Sequence, residues 1–378
     1  MNKALFITMH PLGIQTGGSI ASSNFLKVVL EAFEHQVRVV ASADAADYIE
    51  DLGANDFQAV PARSSVQKLS CLLRGVCSDR FSPYVDNHIK QLLDGVSHVV
   101  LDGSMLGRFA AVVKAVAPQV HITQLHHNCE RKYYADTNMS WWLRLFMGRV
   151  IDNNQGGGWH AADLNLTFTE QDVADLTEVY GRPEGQAVAY GYYEECQVRD
   201  ILSAAKPEGA VRLVITGNMS VKKGYEGAVC FVEEILPHLK DVSLTIAGRN
   251  PHQQLVDASA KCSNVELIAN PPDMLAVLKD ADIFVNPSSI GSGIKVRNFD
   301  GLRNGLPVIC HVGNAHGFGQ LPKDVFATFT DATTFNQCLG HMSVLIEANS
   351  IRAEVQRVYQ LNYGLDSGVK NLRLCLNH

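Results

Sequence analysis

Short apolar runs alternate with longer stretches of helical periodicity along the whole chain. That pattern belongs to parallel α/β units, in which a buried strand is followed by a crossover helix. In the first half the runs predict strands over 4–9, 37–41, 98–101, 120–125 and 164–168. In the second half they predict strands over 212–216, 242–247, 265–268, 283–285, 308–310 and 325–329. Two such sets imply two doubly wound domains, and 378 residues exceed what one ordinary core holds. The stretch 187–197 sets Gly191 among aromatic residues, turns to charged sequence, and reads as the connection. The predicted division is 1–190, 191–355, and a terminal helix over 356–378 that packs back on the first domain.

Composition narrows the function classes. With 32 basic and 39 acidic residues the net charge is −7, which argues against broad contact with nucleic acid. Nine cysteines, an odd count without a Cys-x-x-Cys spacing, point to a reducing compartment rather than a disulfide scaffold. The opening MNKALFITMHPLG is too quickly broken to read as a signal peptide, and no apolar run reaches the roughly 18 residues of a membrane span. A cytoplasmic protein is expected, at most peripheral at the inner face of a membrane. Segment 131–149 carries four basic residues and one acid, a local charge of +3, interleaved with Tyr133, Tyr134, Trp141, Trp142 and Phe146. It suits either an anionic lipid surface or a helix that packs its aromatics inward.

The chemistry concentrates in 288–318. After the apolar run 283–285 come a Gly-rich turn, an amphipathic helix, Gly305 as its stop, and a second apolar run, 308–310. Amides at Ser292, Gly293 and Ile294 are expected at the start of that helix, where unpaired N–H groups and the helix dipole favour an anion. Lys295 adds a full charge, and Asp300 follows as an acceptor for hydroxyl groups. A diphosphate joined to a diol fits this order of contacts. The same stretch also serves as an ordinary strand–turn–helix–strand. Asp280-Ala281-Asp282 has the look of a metal motif, but it falls where a helix ends and a strand begins, so no metal is expected.

Residues Gly291-Ser292-Gly293-Ile294-Lys295, Asp300-Gly301 and Gly305-Leu306-Pro307-Val308 resemble the donor-site signature of retaining GT-B glycosyltransferases, in particular glycosyltransferase family four. Gly217-Asn218-Met219, Lys222-Lys223-Gly224, 246–251 and 280–283 match further pieces of the family's second domain. Gly17-Gly18-Ser19, 126–130 and 168–172 match its first. One position departs: many relatives carry two glutamates eight apart, and here Ser292 and Asp300 stand there.

The resemblance implies an α/β GT-B fold, two Rossmann-like domains facing a central cleft. It implies a retaining, metal-independent enzyme with no cofactor. Such an enzyme moves a sugar from a nucleotide diphosphate donor to a hydroxyl of a glycan or lipid-linked glycan. His127, Glu130 and Lys295 then fall in catalytic positions. Gly17, Gly18, Asn218, Lys222, Lys223, Asn270, Ser292, Gly293, Ile294 and Asp300 fall in donor-binding ones. A nucleotide-sugar epimerase of the same fold, or a non-catalytic nucleotide-sugar-binding partner, are the competing implications.

Overall fold

The computed structural model describes residues 3–14, 17–77, 80–135, 140–195, 210–289, 293–347 and 351–377. The chain forms two compact units. Met1–Glu195 joins Tyr363–His378 in the first, and Cys196–Asn362 forms the second.

The first unit is built on seven parallel strands: β1 (Lys3–Thr8), β2 (Val37–Ser42), β3 (Asp56–Val60), β4 (Val96–Asp102), β5 (His121–His126), β6 (Leu164–Thr167) and β7 (Gln186–Ala189). Their order is β3-β2-β1-β4-β5-β6-β7. The central strands bury both faces, so Ala4, Leu5, Phe6 and Ile7 form one unbroken apolar run, as a doubly covered strand requires. Apolar runs predict these strands well and miss the two edges. In β3 (DFQAV) and β7 (QAVA) only Val60 is buried, because an edge strand can leave its polar positions in water.

The stretch read as a connection, 187–197, starts inside β7, and residues 190–194 after it are mostly buried. Tyr190, Tyr192 and Tyr193 are all buried. The Tyr190 hydroxyl donates to Gly368 O at 2.8 Å, and Asn371 Nδ2 donates to the Tyr193 hydroxyl at 2.6 Å. Arg373 donates to Glu31 O at 2.9 Å and Ala32 O at 3.2 Å. These contacts seat the terminal helix Leu365–Leu376 against the helix Gly17–Ala32.

The second unit has six parallel strands: β8 (Val211–Asn218), β9 (Val242–Arg249), β10 (Val265–Ala269), β11 (Ile283–Asn286), β12 (Val308–His311) and β13 (Phe326–Phe329). Their order is β10-β9-β8-β11-β12-β13. The helix Val296–Arg303 lies close over this sheet because Gly301 lacks a side chain; a Cβ there would stand 2.7 Å from Phe284 Cβ. Phe284 and Phe299 are fully buried at this contact, each contributing about 2–3 kcal/mol by removal from water. Asp282, at the mouth of β11, takes Arg212 through two contacts of 3.0 and 3.1 Å. Its carboxylate is thereby engaged in tying β8 to β11.

In both sheets the chain reverses direction of build-up beside the first strand, between β1 and β4 and between β8 and β11. The carboxyl ends of strands at such switch points are where open α/β sheets hold ligands. Among the described residues, no helix is long and apolar enough to cross a membrane.

Candidate functional site

In the first unit three strand ends at the switch point converge on one buried carboxylate. Asp102 closes β4 and is fully buried. Its Oδ2 accepts from Thr8 Oγ1 at 2.7 Å, and its Oδ1 lies 2.8 Å from His127 Nε2. The His10 ring lies flat on that of His127, with centroids 4.8 Å apart. Gly103 makes room for His10, since a Cβ there would stand 2.9 Å from its Nε2, while Gly18 lies beside the ring, its Cβ position an ordinary 3.7 Å from Nδ1. Gly17 and Gly18 open the helix that follows β1, and Gly18 stands next to this cluster.

Charge in the cluster is settled by burial and by the rings. Burial alone would raise the Asp102 carboxyl, but His127, His10 and the Ser22 hydroxyl together hold the pKa at about 2. Burial, with His127 beside it, lowers His10 to about 3, so His10 is a neutral imidazole at pH 7. An ionised Asp102 only accepts, so His127 Nε2 donates in this contact, which leaves Nδ1 as the ring nitrogen facing away from it.

Glu130 stands three residues on, at the first turn of the helix Glu130–Ala135. Its backbone N–H donates to Gln155 Oε1 at 2.9 Å, and Gln155 Nε2 donates to Asn128 O at 2.8 Å, which fixes the loop after β5. Burial pushes the Glu130 carboxyl up to about 7, against the pull of His127 and Arg80. The orienting partner of His127 is thus Asp102, while Glu130 is a half-neutral acid nearby.

In the second unit the loop after β11 is braced by three buried asparagines. Asn286 Nδ2 donates to Asn298 Oδ1 at 2.7 Å, Asn298 Nδ2 donates to Asn314 O at 3.2 Å, and Asn314 Nδ2 donates to Ser288 O. The helix begins at Val296, with Lys295 as its N-cap residue. This is later than the sequence pattern predicts: Gly293 and Ile294 precede the helix, and its first-turn amides are those of Val296 and Arg297. Ser292 lies outside the described residues. Lys295 Nζ donates to Gly293 O at 3.2 Å, folding the ammonium over the turn. Asp300, half exposed on the same helix, lies 3.5 Å from Arg303.

The remaining donor candidates line up along neighbouring strand ends. Asn218 ends β8, and its Oδ1 accepts from Ser220 N at 3.1 Å and Ser220 Oγ at 2.7 Å, shaping the turn into the helix Lys222–Cys230. Lys222 Nζ pairs with Glu226 at 3.3 Å. The Lys223 side chain lies outside the description. Asn270 follows β10 with a positive φ of 51° and accepts from Asn250 N–H at 3.0 Å. A cleft of about 1260 Å³ has Lys222, Ser288 and His311 on its wall, but Lys295 and Asp300 are not among its lining residues. The strand ends, rather than that cleft, define the site.

Sequence reasoning missed His10, Asp102 and Arg297. Each follows directly from a predicted element, at the exit of β1, the end of β4 and the first turn after Lys295. The signal for all three was position, since none belongs to a motif. Among the described residues no cluster of three or more His, Cys, Asp or Glu side chains forms a cage for a metal ion.

Residues 210–332 match the family described as glycosyl transferases group 1. A 44.6 kDa protein of the cps region of Klebsiella pneumoniae is 26% identical over 119 residues, 28% of this chain and 30% of that relative's length. The fold is similar over nearly all of both chains to several solved structures. A glycosyltransferase from Rickettsia africae matches with a TM-score of 0.65 at 13% identity, covering 100% of this chain and 98% of its own. Anabaena Alr3699/HepE in complex with UDP matches at 0.66 and 11%, covering 99% of each. The lipopolysaccharide outer core galactosyltransferase WaaB matches at 0.63 and 12%, covering 100% and 99%. These likenesses identify the two-unit α/β architecture as GT-B.

Proposed function

We propose that the chain moves a sugar from a nucleotide diphosphate donor to a hydroxyl of a glycan or lipid-linked glycan, a reading supported by the match of residues 210–332 to glycosyl transferases group 1 and by the GT-B fold. The proposed reaction is retaining and uses neither cofactor nor metal. The observation that carries this reading is the turn after β11. A lysine caps a helix start at the switch point of the second sheet, and cationic charge there suits a diphosphate. HepE, of the same fold, is described in complex with UDP and with UDP-glucose, which supports a nucleotide-sugar donor for this chain too.

In this reading Lys295, a lysine of the 222–223 pair and the backbone at Ser292, Gly293 and Ile294 hold the diphosphate. Charge builds on the leaving group during transfer, so fixed cations favour the transition state over the ground state. Asp300 accepts from the ribose hydroxyls, Asn218 and Asn270 flank the nucleotide, and Gly17-Gly18 leave space for the sugar. His127, held by Asp102, presents its remaining ring nitrogen to a hydroxyl, and Glu130 receives the acceptor. WaaB is named as a lipopolysaccharide galactosyltransferase, which supports a cell-envelope glycan as the acceptor class.

The test is thermal unfolding against nucleoside diphosphates and their sugars, followed by transfer assays with the stabilising donor. One nucleoside diphosphate should raise the midpoint by several degrees, and Lys295→Ala should lower turnover on the order of 10²-fold. Transfer should survive EDTA. No stabilisation by any nucleotide overturns the donor reading, and activity lost to EDTA and restored by magnesium overturns metal independence.

A further inference from the structure

We propose that Arg297 is an anion-binding residue of the second unit, its guanidinium engaging the phosphate oxygens of a nucleoside diphosphate at the exit of β8. The inference rests on the donor reading above and deepens it, since nothing in the sequence pattern assigns a role to this position.

Three observations carry it. The first is place. Arg297 sits in the first turn of the helix after β11, yet its guanidinium reaches the end of β8 and lies directly on Gly217. A Cβ on Gly217 would stand 2.4 Å from Arg297 Nη2 and 2.5 Å from Cζ, so a side chain at 217 would push the guanidinium out of this place. The guanidinium thus lies over the β8–β11 switch point, where ligands of open parallel sheets bind.

The second observation is the lack of a partner. The side chain is largely buried, while the residue keeps some exposure to water. Among the described residues Arg297 makes no hydrogen bond and no ion pair. Asp300 acts on it only through space, and the Asp300 carboxylate also lies 3.5 Å from Arg303. Five N–H donors in one planar fork are therefore unanswered by protein and remain reachable from solvent, where an anion can meet them.

The third is chemistry. A planar fork matches two oxygens of one phosphate, which a lysine does not, and Arg is the usual choice where such recognition is needed. Lys295 occupies the same loop but turns its ammonium toward Gly293 O. Lys222 pairs with Glu226. Arg297 is thus the described cation here that lacks any protein acceptor, set where a diphosphate is expected.

The experiment is calorimetric titration of wild type, Arg297→Met and Arg297→Lys with inorganic pyrophosphate, with UDP, GDP, ADP and CDP, and with the matching nucleosides. Met keeps most of the side-chain volume and removes the charge; Lys keeps the charge and removes the fork. The expected result is a 10- to 100-fold loss of diphosphate affinity in Arg297→Met, the size of one buried charge-assisted contact. A smaller loss is expected in Arg297→Lys, with nucleoside affinity unchanged. If Arg297→Met does not fold, Arg297→Lys alone decides. Equal diphosphate affinity in wild type and folded variants overturns the role of Arg297 while leaving the donor reading intact. Pyrophosphate binding that depends on Arg297, with no nucleotide bound, supports the guanidinium site and overturns the nucleotide reading. A wild type that binds neither overturns both.

Discussion

The imidazole of His10 lies parallel to that of His127, with ring centroids 4.8 Å apart and planes within 4°. Such stacking holds only while the two rings are not both charged. Burial keeps His10 neutral, and the Asp102 carboxylate lies against His127. The second ring therefore acts as a wall, and the carboxylate fixes which nitrogen of His127 carries the proton. Asp102→Asn keeps the volume but can present an amide N–H to Nε2, which invites the opposite tautomer. Turnover should fall on the order of 10²-fold, the cost of misplacing a reacting group, with donor affinity unchanged. Equal turnover in a folded Asp102→Asn would reduce the pair to a packing device.

Glu130 sets the expected pH profile. Its carboxyl is raised to about 7 by burial, so it passes from neutral to ionised as pH rises through that value. A carboxylate accepts a hydroxyl hydrogen bond more strongly than the neutral acid does. Acceptor KM should therefore fall between about pH 6 and 8, and in Glu130→Gln it should lie flat. A step near pH 7 that persists in Glu130→Gln belongs to another group.

Much of this was legible in the sequence, and the exceptions have physical causes. Unbroken apolar runs such as Leu5-Phe6-Ile7 reveal strands covered on both faces. Edge strands β3 and β7 leave polar side chains in water and so lose that signature. The motif at 291–308 pointed to Lys295 and Asp300, but not to where the helix starts, because the turn before Val296 takes up more residues than its glycines suggest. Asp102 and His10 were invisible because no spacing links them: they lie 92 positions apart and meet only when β1 and β4 pair. Arg297 carried no signal, since the gap that admits its guanidinium is made by Gly217 on another strand.

Acid should destabilise the first unit through its neutral histidines. Burial lowers His10 to about 3 and His126 to about 4, from 6.5. A lowered folded-state pKa means the unfolded chain takes up protons first, so stability is full above pH 6.5 and falls as pH drops toward 4 and 3. Each histidine accounts for roughly 2 kcal/mol between pH 8 and pH 5. Asp102 adds to the loss only below about pH 4, since its folded value is about 2. Urea unfolding at pH 8 and pH 5 measures this. Glu130, with its carboxyl raised to about 7, works in the opposite direction over the same range. His10→Gln should therefore remove only its own acid-sensitive share of roughly 2 kcal/mol, and an unchanged difference between pH 8 and pH 5 would show that burial does not hold His10 neutral in the native state.

The proposed membrane contact rests on two helices of the first unit. On Trp141–Ile151, Trp141 is 75% and Leu145 65% exposed; on Ser65–Leu73, Val66 is 77% and Leu73 81% exposed. Neither helix contains an acid, and their ends are joined where Asn153 Nδ2 reaches Gly75 O at 3.5 Å. The electrostatic pull is smaller than the +3 of segment 131–149 implies. Arg131 pairs with Asp152 at 2.9 Å, and Lys132 pairs with Asp175 and Glu178 at 2.7 and 2.6 Å. Binding to anionic vesicles should therefore depend more on the apolar side chains than on charge, at about 1 kcal/mol per basic residue still near the surface. Co-sedimentation with such vesicles should weaken only modestly at high salt, and Trp141→Ser with Leu73→Ser should abolish it without changing nucleotide affinity. If the double variant binds vesicles as the wild type does, these helices do not form the contact. If binding disappears at high salt while the double variant still binds at low salt, charge alone is the attraction and the apolar side chains play no part in it.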